Sequence, residues 1–264
     1  MNQFLRTLTL SIGLLLAAPL WASTIVKDIP TRAGVTQRLL LLKPEQPVAV
    51  LVMFAGGERP LGIANDGRLA WGSASLLMRI SPLFLHSGFS IAIVDLPSDQ
   101  QTSPSSHYSE SAQQAQDTAA IIAFLRRDNP LPVWLIGSGS GAASVLNAAI
   151  RLQKNGADGI VLTSEVSAES AGSLFPQLAQ VRIPTLSMRK THPCHPDSQI
   201  DPSGFIAALK NSPRAEELTV SATVAAGTDP CLTPPSHGYL GLEDPLVDKI
   251  SRWIKALLLP SDFI

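Results

Sequence analysis

The stretch that most constrains this chain is Val133–Ser144, VWLIGSGSGAAS, where an apolar run breaks into alternating Gly and Ser and then takes up a helix-like pattern. A strand, a tight turn and a helix start follow from that order. Two chemistries use such a turn. A nucleophile elbow, GxSxG, presents a serine at a strained apex beside backbone N–H groups. A dinucleotide fingerprint, GxGxxG/A, brings bare backbone up to a pyrophosphate at the helix N-terminus. Gly137, Gly139 and Ala142 match the fingerprint literally, with Glu165 as the acidic residue beyond the next strand. The elbow pattern matches with one substitution, because its apex column holds Gly139.

The N-terminal residues, MNQFLRTLTLSIGLLLAAPLWAS, carry one positive charge at Arg6, an unbroken apolar run and small residues around Ala22. They read as a secretory signal peptide, too short and poorly flanked for a membrane anchor. The expectation is a chain exported to the periplasm or beyond, with no membrane attachment after cleavage. Removing residues 1–22 from 264 leaves 242, with 19 Lys+Arg against 21 Asp+Glu. That length suits one domain, 23–264. A net charge of −2 gives no basic surplus for nucleic acid, so the expected partner is a small molecule.

Two cysteines, Cys194 and Cys231, remain in the exported part. An oxidising compartment makes a disulfide between them the default. His192, Cys194, His195, Cys231 and His237 are all metal-ligand types, but their spacing matches no closed zinc pattern. No metal and no cofactor is expected.

Taken in order, Thr24–Asp28, Val35–Leu42 and Val48–Phe54 read as strands, the last buried on both faces. Ala55-Gly56-Gly57-Glu58 follows as a turn whose N–H groups suit half of an oxyanion hole. Residues 72–87 form a helix kinked at Pro82, Phe89–Val94 a strand, and Tyr108–Arg127 a helix with apolar positions Ala112, Ala115, Ala119, Ile122 and Leu125. Beyond the Gly/Ser turn come a helix (Ser140–Gln153), strands at Gly159–Thr163, Ile183–Met188 and Leu218–Val224, a short helix at Gly204–Lys210 and a closing helix at Leu246–Leu259. Strands alternating with helices predict a mostly parallel sheet covered on both faces. At least two buried strands precede the glycines, whereas a dinucleotide unit usually opens its domain.

Four stretches decide the comparison further: MFAGGE (Met53–Glu58), VDLPSD (ending Asp95–Asp99), the elbow, and SHGYLGLE (Ser236–Glu243). In their order they resemble an exported bacterial α/β-hydrolase-like family whose elbow looks like GTSRGT. The resemblance implies an α/β-hydrolase fold, with helices on both faces of a mostly parallel sheet, and ancestry among serine ester or amide hydrolases. It assigns His237 as the triad histidine, Gly56 and Gly57 as the glycine pair, and Cys194 and Cys231 as a disulfide pair. It also marks two departures. Gly139 stands where the family carries serine, and RKTHPC (Arg189–Cys194) lacks the carboxylate of the family's HHRxDxC. Acyl transfer needs a side chain to attack the carbonyl, and glycine has none. Ser140, one residue past the apex, and Ser138, one before it, are the candidate replacements, although both suit a turn or helix cap. Asp197, Asp201, Asp229 and Glu243 are the candidate acids. Two readings stand: a hydrolase-like protein, its triad lost or weakened, that binds acyl or carboxylate ligands at Gly56, Gly57 and Gly139, and an active esterase-like hydrolase on Ser140 and His237.

Overall fold

A computed structural model describes residues 23–57, 59–128, 130–163, 172–191, 202–221 and 239–258. Eight strands form one sheet: β1 (Ser23–Arg32), β2 (Val35–Lys43), β3 (Ala49–Phe54), β4 (Phe89–Pro97), β5 (Val133–Gly137), β6 (Gly159–Leu162), β7 (Thr185–Thr191) and β8 (Ala215–Ser221). Their order is β1-β2-β4-β3-β5-β6-β7-β8. β2 is antiparallel to both neighbours, and every pair from β4 to β8 is parallel.

The apolar run of β3 explains its central place. All six of its residues are buried, with Val50, Val52 and Phe54 in the core on one face and Ala49, Leu51 and Met53 in the core on the other. Two cores on opposite faces require two layers of cover. On one side lie α1 (Leu76–His86) and α5 (Glu243–Leu258), packed through Leu77, Ile80, Phe84, Leu246, Ile250 and Ile254. On the other lie α2 (Ala112–Asp128), α3 (Ser140–Leu152), a 3-10 segment Gly172–Gln180 and α4 (Pro202–Ala208). No helix among the described residues is long and apolar enough to cross a membrane.

Two helix readings are corrected. α1 begins at Leu76 rather than residue 72, because Gly72 takes φ +71° in a turn whose carbonyl receives the Ser75 N–H at 2.9 Å. Pro82 lies inside α1 without ending it. A proline removes one N–H from the ladder, and the Ser81 hydroxyl donates to the Met78 carbonyl at 2.9 Å, supplying a donor to the acceptor that Pro82 cannot serve. α2 begins at Ala112, where Ser111 accepts the Gln114 N–H on its hydroxyl at 3.1 Å, a side-chain cap that separates the helix from a 3-10 turn at Tyr108–Glu110. Its inward face is also different from the expected one. Ala112 is exposed, and Gln114, Asp117 and Thr118 are buried beside Ala115, Ile121 and Ile122.

Those buried polar groups are satisfied by residues far away in the chain. Arg32 at the end of β1 donates to both Asp117 oxygens at 2.8 and 3.0 Å and to both Asp99 oxygens at 2.9 and 3.0 Å. Tyr108 donates its hydroxyl to Asp117 at 2.7 Å. The Asp117 and then the Asp99 bonds hold the Arg32 guanidinium well above its ordinary pKa, and burial followed by the Asp117 bond pushes the Tyr108 phenol far upward. Gln114 joins the same layer, donating to Thr118 at 2.9 Å and accepting from Asn147 of α3 at 2.8 Å. The network ties β1, α2 and α3 together beneath the carboxyl ends of β3 and β4.

Candidate active site

β5 ends at Gly137, and the chain reverses into α3 through Ser138 and Gly139. Gly139 has φ +56° and ψ −130°, a sharp left-handed apex immediately before the first helical residue. The glycines on either side are there for space. A Cβ on Gly137 would lie inside contact distance of the Gly141 carbonyl and Ala142, and one on Gly141 would collide with the Phe54 carbonyl. Gly56 is as tight, since its Cβ would strike the Ser138 carbonyl. The turn is pinned by Ser138 N–H to Phe54 O at 3.3 Å, Gly141 N–H to Ser138 O at 3.0 Å and Ala142 N–H to Gly139 O at 2.9 Å. Gly139 is less crowded: among the described residues a Cβ there meets the Gly56 Cα at 3.5 Å, an ordinary contact.

The loop after β3 comes up against this apex. Gly57 has φ +135°, a conformation that side chains disfavour. Its N–H donates to the Ser140 hydroxyl oxygen at 3.0 Å, and the same hydroxyl lies 3.2 Å from the Gly57 carbonyl, to which it donates. Ser140 is the first residue of α3, where a backbone N–H has no carbonyl within the helix to take it. The loop and the helix start thus form a cradle of N–H groups, and the Ser140 hydroxyl occupies one of them.

The rest of the loop is anchored from β4. Asp95 is buried, with 3 % of its surface exposed, and accepts the Leu61 and Leu96 N–H groups on Oδ1 at 2.7 and 2.8 Å and the Ile63 N–H on Oδ2 at 3.1 Å. Both carboxylate oxygens are committed to holding the loop. Gln37 of β2 donates through Nε2 to the Asp95 carbonyl at 2.8 Å, while its buried Oε1 has no hydrogen-bond partner among the described residues.

Between these pieces lies a cavity of about 430 Å³. Its walls include Phe54, Gly57, Asp95, Tyr108, Gln114 and Ser140. Arg59 lines it too, its guanidinium carbon 5.5 Å from the centre of the Trp71 ring, and Trp71 is 56 % exposed. A ligand space at the carboxyl ends of parallel strands, beside a helix N-terminus, is where open α/β sheets place their chemistry.

The sheet order, the antiparallel β2 and the positive-φ apex between β5 and α3 decide the comparison. This chain has the α/β-hydrolase fold. No family model and no curated protein matches the sequence. Among solved structures it is similar to an esterase from Pyrococcus furiosus (TM-score 0.62, 13 % identity, 90 % of this chain and 94 % of that one). It is likewise similar to a dienelactone hydrolase from Anabaena variabilis (TM-score 0.59, 13 % identity, 89 % and 98 %). Identities this low carry the fold and nothing finer.

The hydrolase-like fold corrects the dinucleotide alternative at Gly137, Gly139 and Ala142. Those residues sit after the fifth strand of an eight-strand sheet, not in an opening βαβ unit, and Gly137 is small because Gly141 and Ala142 pack on it. The sequence-predicted Gly56, Gly57, Ser138, Gly139 and Ser140 converge at the apex. His237, Cys194, Cys231, His192, His195, Glu165, Asp197, Asp201 and Asp229 lie outside the described residues. Glu243 begins α5 and accepts from Arg79 at 3.0 Å. Burial pushes its carboxyl up, but its own N–H, Arg79 and the Gly241 N–H outweigh this and hold it below the ordinary value.

Sequence reasoning missed Asp95, Gln37, Arg59, Trp71, Tyr108 and Gln114. Asp95 alone carried a signal, an acid closing an otherwise apolar buried strand, where an unpartnered carboxylate would be untenable.

Proposed function

We propose that this is an exported protein that binds a small acyl or carboxylate ligand in the cavity above the elbow, and that its Ser–His–acid acyl transfer has been lost or strongly weakened. One observation carries the reading. Gly139 occupies the apex, in the backbone conformation that an elbow imposes on its nucleophile, and offers no atom to attack a carbonyl. Ser140 supports loss over replacement. It stands one position beyond the apex, and its hydroxyl is bonded in both senses to the Gly57 backbone.

A fluorophosphonate probe tests this directly. No labelling of the folded chain is expected. Stoichiometric labelling that disappears in both Ser140→Ala and His237→Ala would establish the opposite reading, an esterase-like enzyme with Ser140 as nucleophile and His237 as base.

The export half of the proposal rests on Arg6 and the apolar run to Ala22. Expressed with its own N-terminus in a Gram-negative host, the chain should be recovered from the periplasm beginning at or within a few residues of Ser23. An intact Met1 in the cytoplasmic fraction would contradict it.

A further inference from the structure

The Gly57 N–H is the donor that an acyl oxygen above Gly139 would use, and in this chain it is already engaged. It donates to the Ser140 hydroxyl at 3.0 Å, and that hydroxyl donates back to the Gly57 carbonyl across 3.2 Å. Both residues line the cavity and both are exposed, so a ligand in the cavity and the Ser140 hydroxyl contend for the same donor.

The two sides of this contact are not equally free to move. Gly56 packs so closely on the Ser138–Gly139 peptide that a Cβ would collide with it, and Asp95 holds the loop further along through the Leu61 and Ile63 N–H groups. The donor is therefore fixed in place. Ser140 needs only to turn about its Cα–Cβ bond, and an exposed hydroxyl that turns out exchanges both of its bonds for bonds to water.

We propose that Ser140 is a specificity-determining residue of this pocket: its hydroxyl is a built-in competitor for the Gly57 N–H, and a ligand's acyl oxygen docks there only by turning it out. The inference rests on the pocket-binding reading above and deepens it. An acyl ligand exchanges one hydrogen bond for another at this donor, so its affinity is cut by the worth of the bond it displaces, about two- to tenfold. A ligand with no acceptor has nothing to displace and loses nothing. Ser140 thus narrows the gap between ligands that carry an acyl oxygen and ligands held by the other walls alone.

Isothermal titration of the parent chain, Ser140→Ala and Ser140→Thr with three probes tests it: hexanamide and hexanoate, which carry an acyl oxygen, and hexylammonium, which carries no acceptor. In Ser140→Ala both acyl probes should bind about two- to tenfold more tightly than to the parent, while hexylammonium binds as before. Ser140→Thr keeps the hydroxyl and should bind all three as the parent does. Each comparison is made within one probe, so the charges of Asp95 and Arg59 on the cavity wall act alike on both sides of it. Because Ser140 is exposed, both variants should keep the parent's circular dichroism. Acyl binding that is detected only in Ser140→Ala would be the same result in its strongest form. No gain for the acyl probes in Ser140→Ala, an equal gain for hexylammonium, or the same gain in Ser140→Thr would each overturn the assignment while leaving a binding pocket in place. If no probe binds any of the three proteins, the pocket-binding reading fails and takes this inference with it.

Discussion

Urea unfolding of Asp117→Ala is expected to show a loss of about 3–5 kcal/mol relative to the parent chain, the cost of removing one partner from a buried ion pair. Asp117 is 1 % exposed and receives three bonds, two from Arg32 and one from the Tyr108 hydroxyl. Truncation leaves the Arg32 side chain, 13 % exposed, with only Asp99, which stands 37 % exposed in solvent. It also leaves the Tyr108 hydroxyl, drawn inward by that carboxylate, without the acceptor it now uses. Both losses act in the layer beneath the cavity, so ligand affinity should fall with stability. Asp117→Asn keeps the shape and one acceptor and should cost less. Replacing the pair together, Arg32→Met with Asp117→Leu, should recover the part of the loss that comes from the stranded guanidinium, while the Tyr108 hydroxyl still lacks its acceptor. If Asp117→Ala costs under about 1 kcal/mol by the same measurement, the pair is surface-like in its energetics and the network does not hold α2 in place.

The same network shows where reading the sequence stops. Strands such as β3 and β5 were legible because a doubly buried strand must be apolar throughout, and every residue of both is buried. The elbow was legible because bare backbone is needed wherever Gly137 meets Ala142 and Gly141 meets Phe54. The inward face of α2 was not, since it is built from Gln114, Asp117 and Thr118. Periodicity counts such residues as solvent-facing, and the partner that reverses this for Asp117 lies 85 positions away in β1. The cavity was hidden for a related reason. Its polar groups come from β2, from the end of β4, from the loops that follow β3 and β4, and from α2 and α3, and no local pattern announces that Gln37, Arg59 and Tyr108 share one space.

One consequence links the loop to the elbow. Asp95 fixes residues 61–63, which follow the Gly56–Gly57 turn, and Gly56 touches the Ser138–Gly139 peptide closely enough to forbid a side chain. The N–H cradle is therefore assembled from two segments held by steric fit and a buried carboxylate, independently of any nucleophile. A chain can lose the apex hydroxyl and keep the cradle.

Because the walls persist, Gly139→Ser is expected to bring back fluorophosphonate labelling, and Gly139→Ser/Ser140→Ala to label on the order of 10²-fold faster than the single variant. Among the described residues the new Cβ meets Gly56 Cα at 3.5 Å, an ordinary contact, so these walls accept it sterically. A serine at φ +56°, ψ −130° stores roughly 1–3 kcal/mol of backbone strain, which a chain of this size tolerates. What limits the single variant is the Ser140 hydroxyl, which takes the Gly57 N–H at 3.0 Å. A preorganised donor of this kind contributes about 10²–10³ in rate once it faces the developing oxyanion, and nothing while it is bonded elsewhere. Ser140→Ala removes the competitor without touching the backbone N–H of residue 140. Adding His237→Ala to the double variant should abolish labelling, because the new hydroxyl then lacks its base. A double variant no faster than Gly139→Ser would show that Ser140 does not withhold the donor. Absence of labelling in both, with the parent's circular dichroism intact, would show that no base reaches the apex, and the weakness of the site would then lie beyond Gly139 alone.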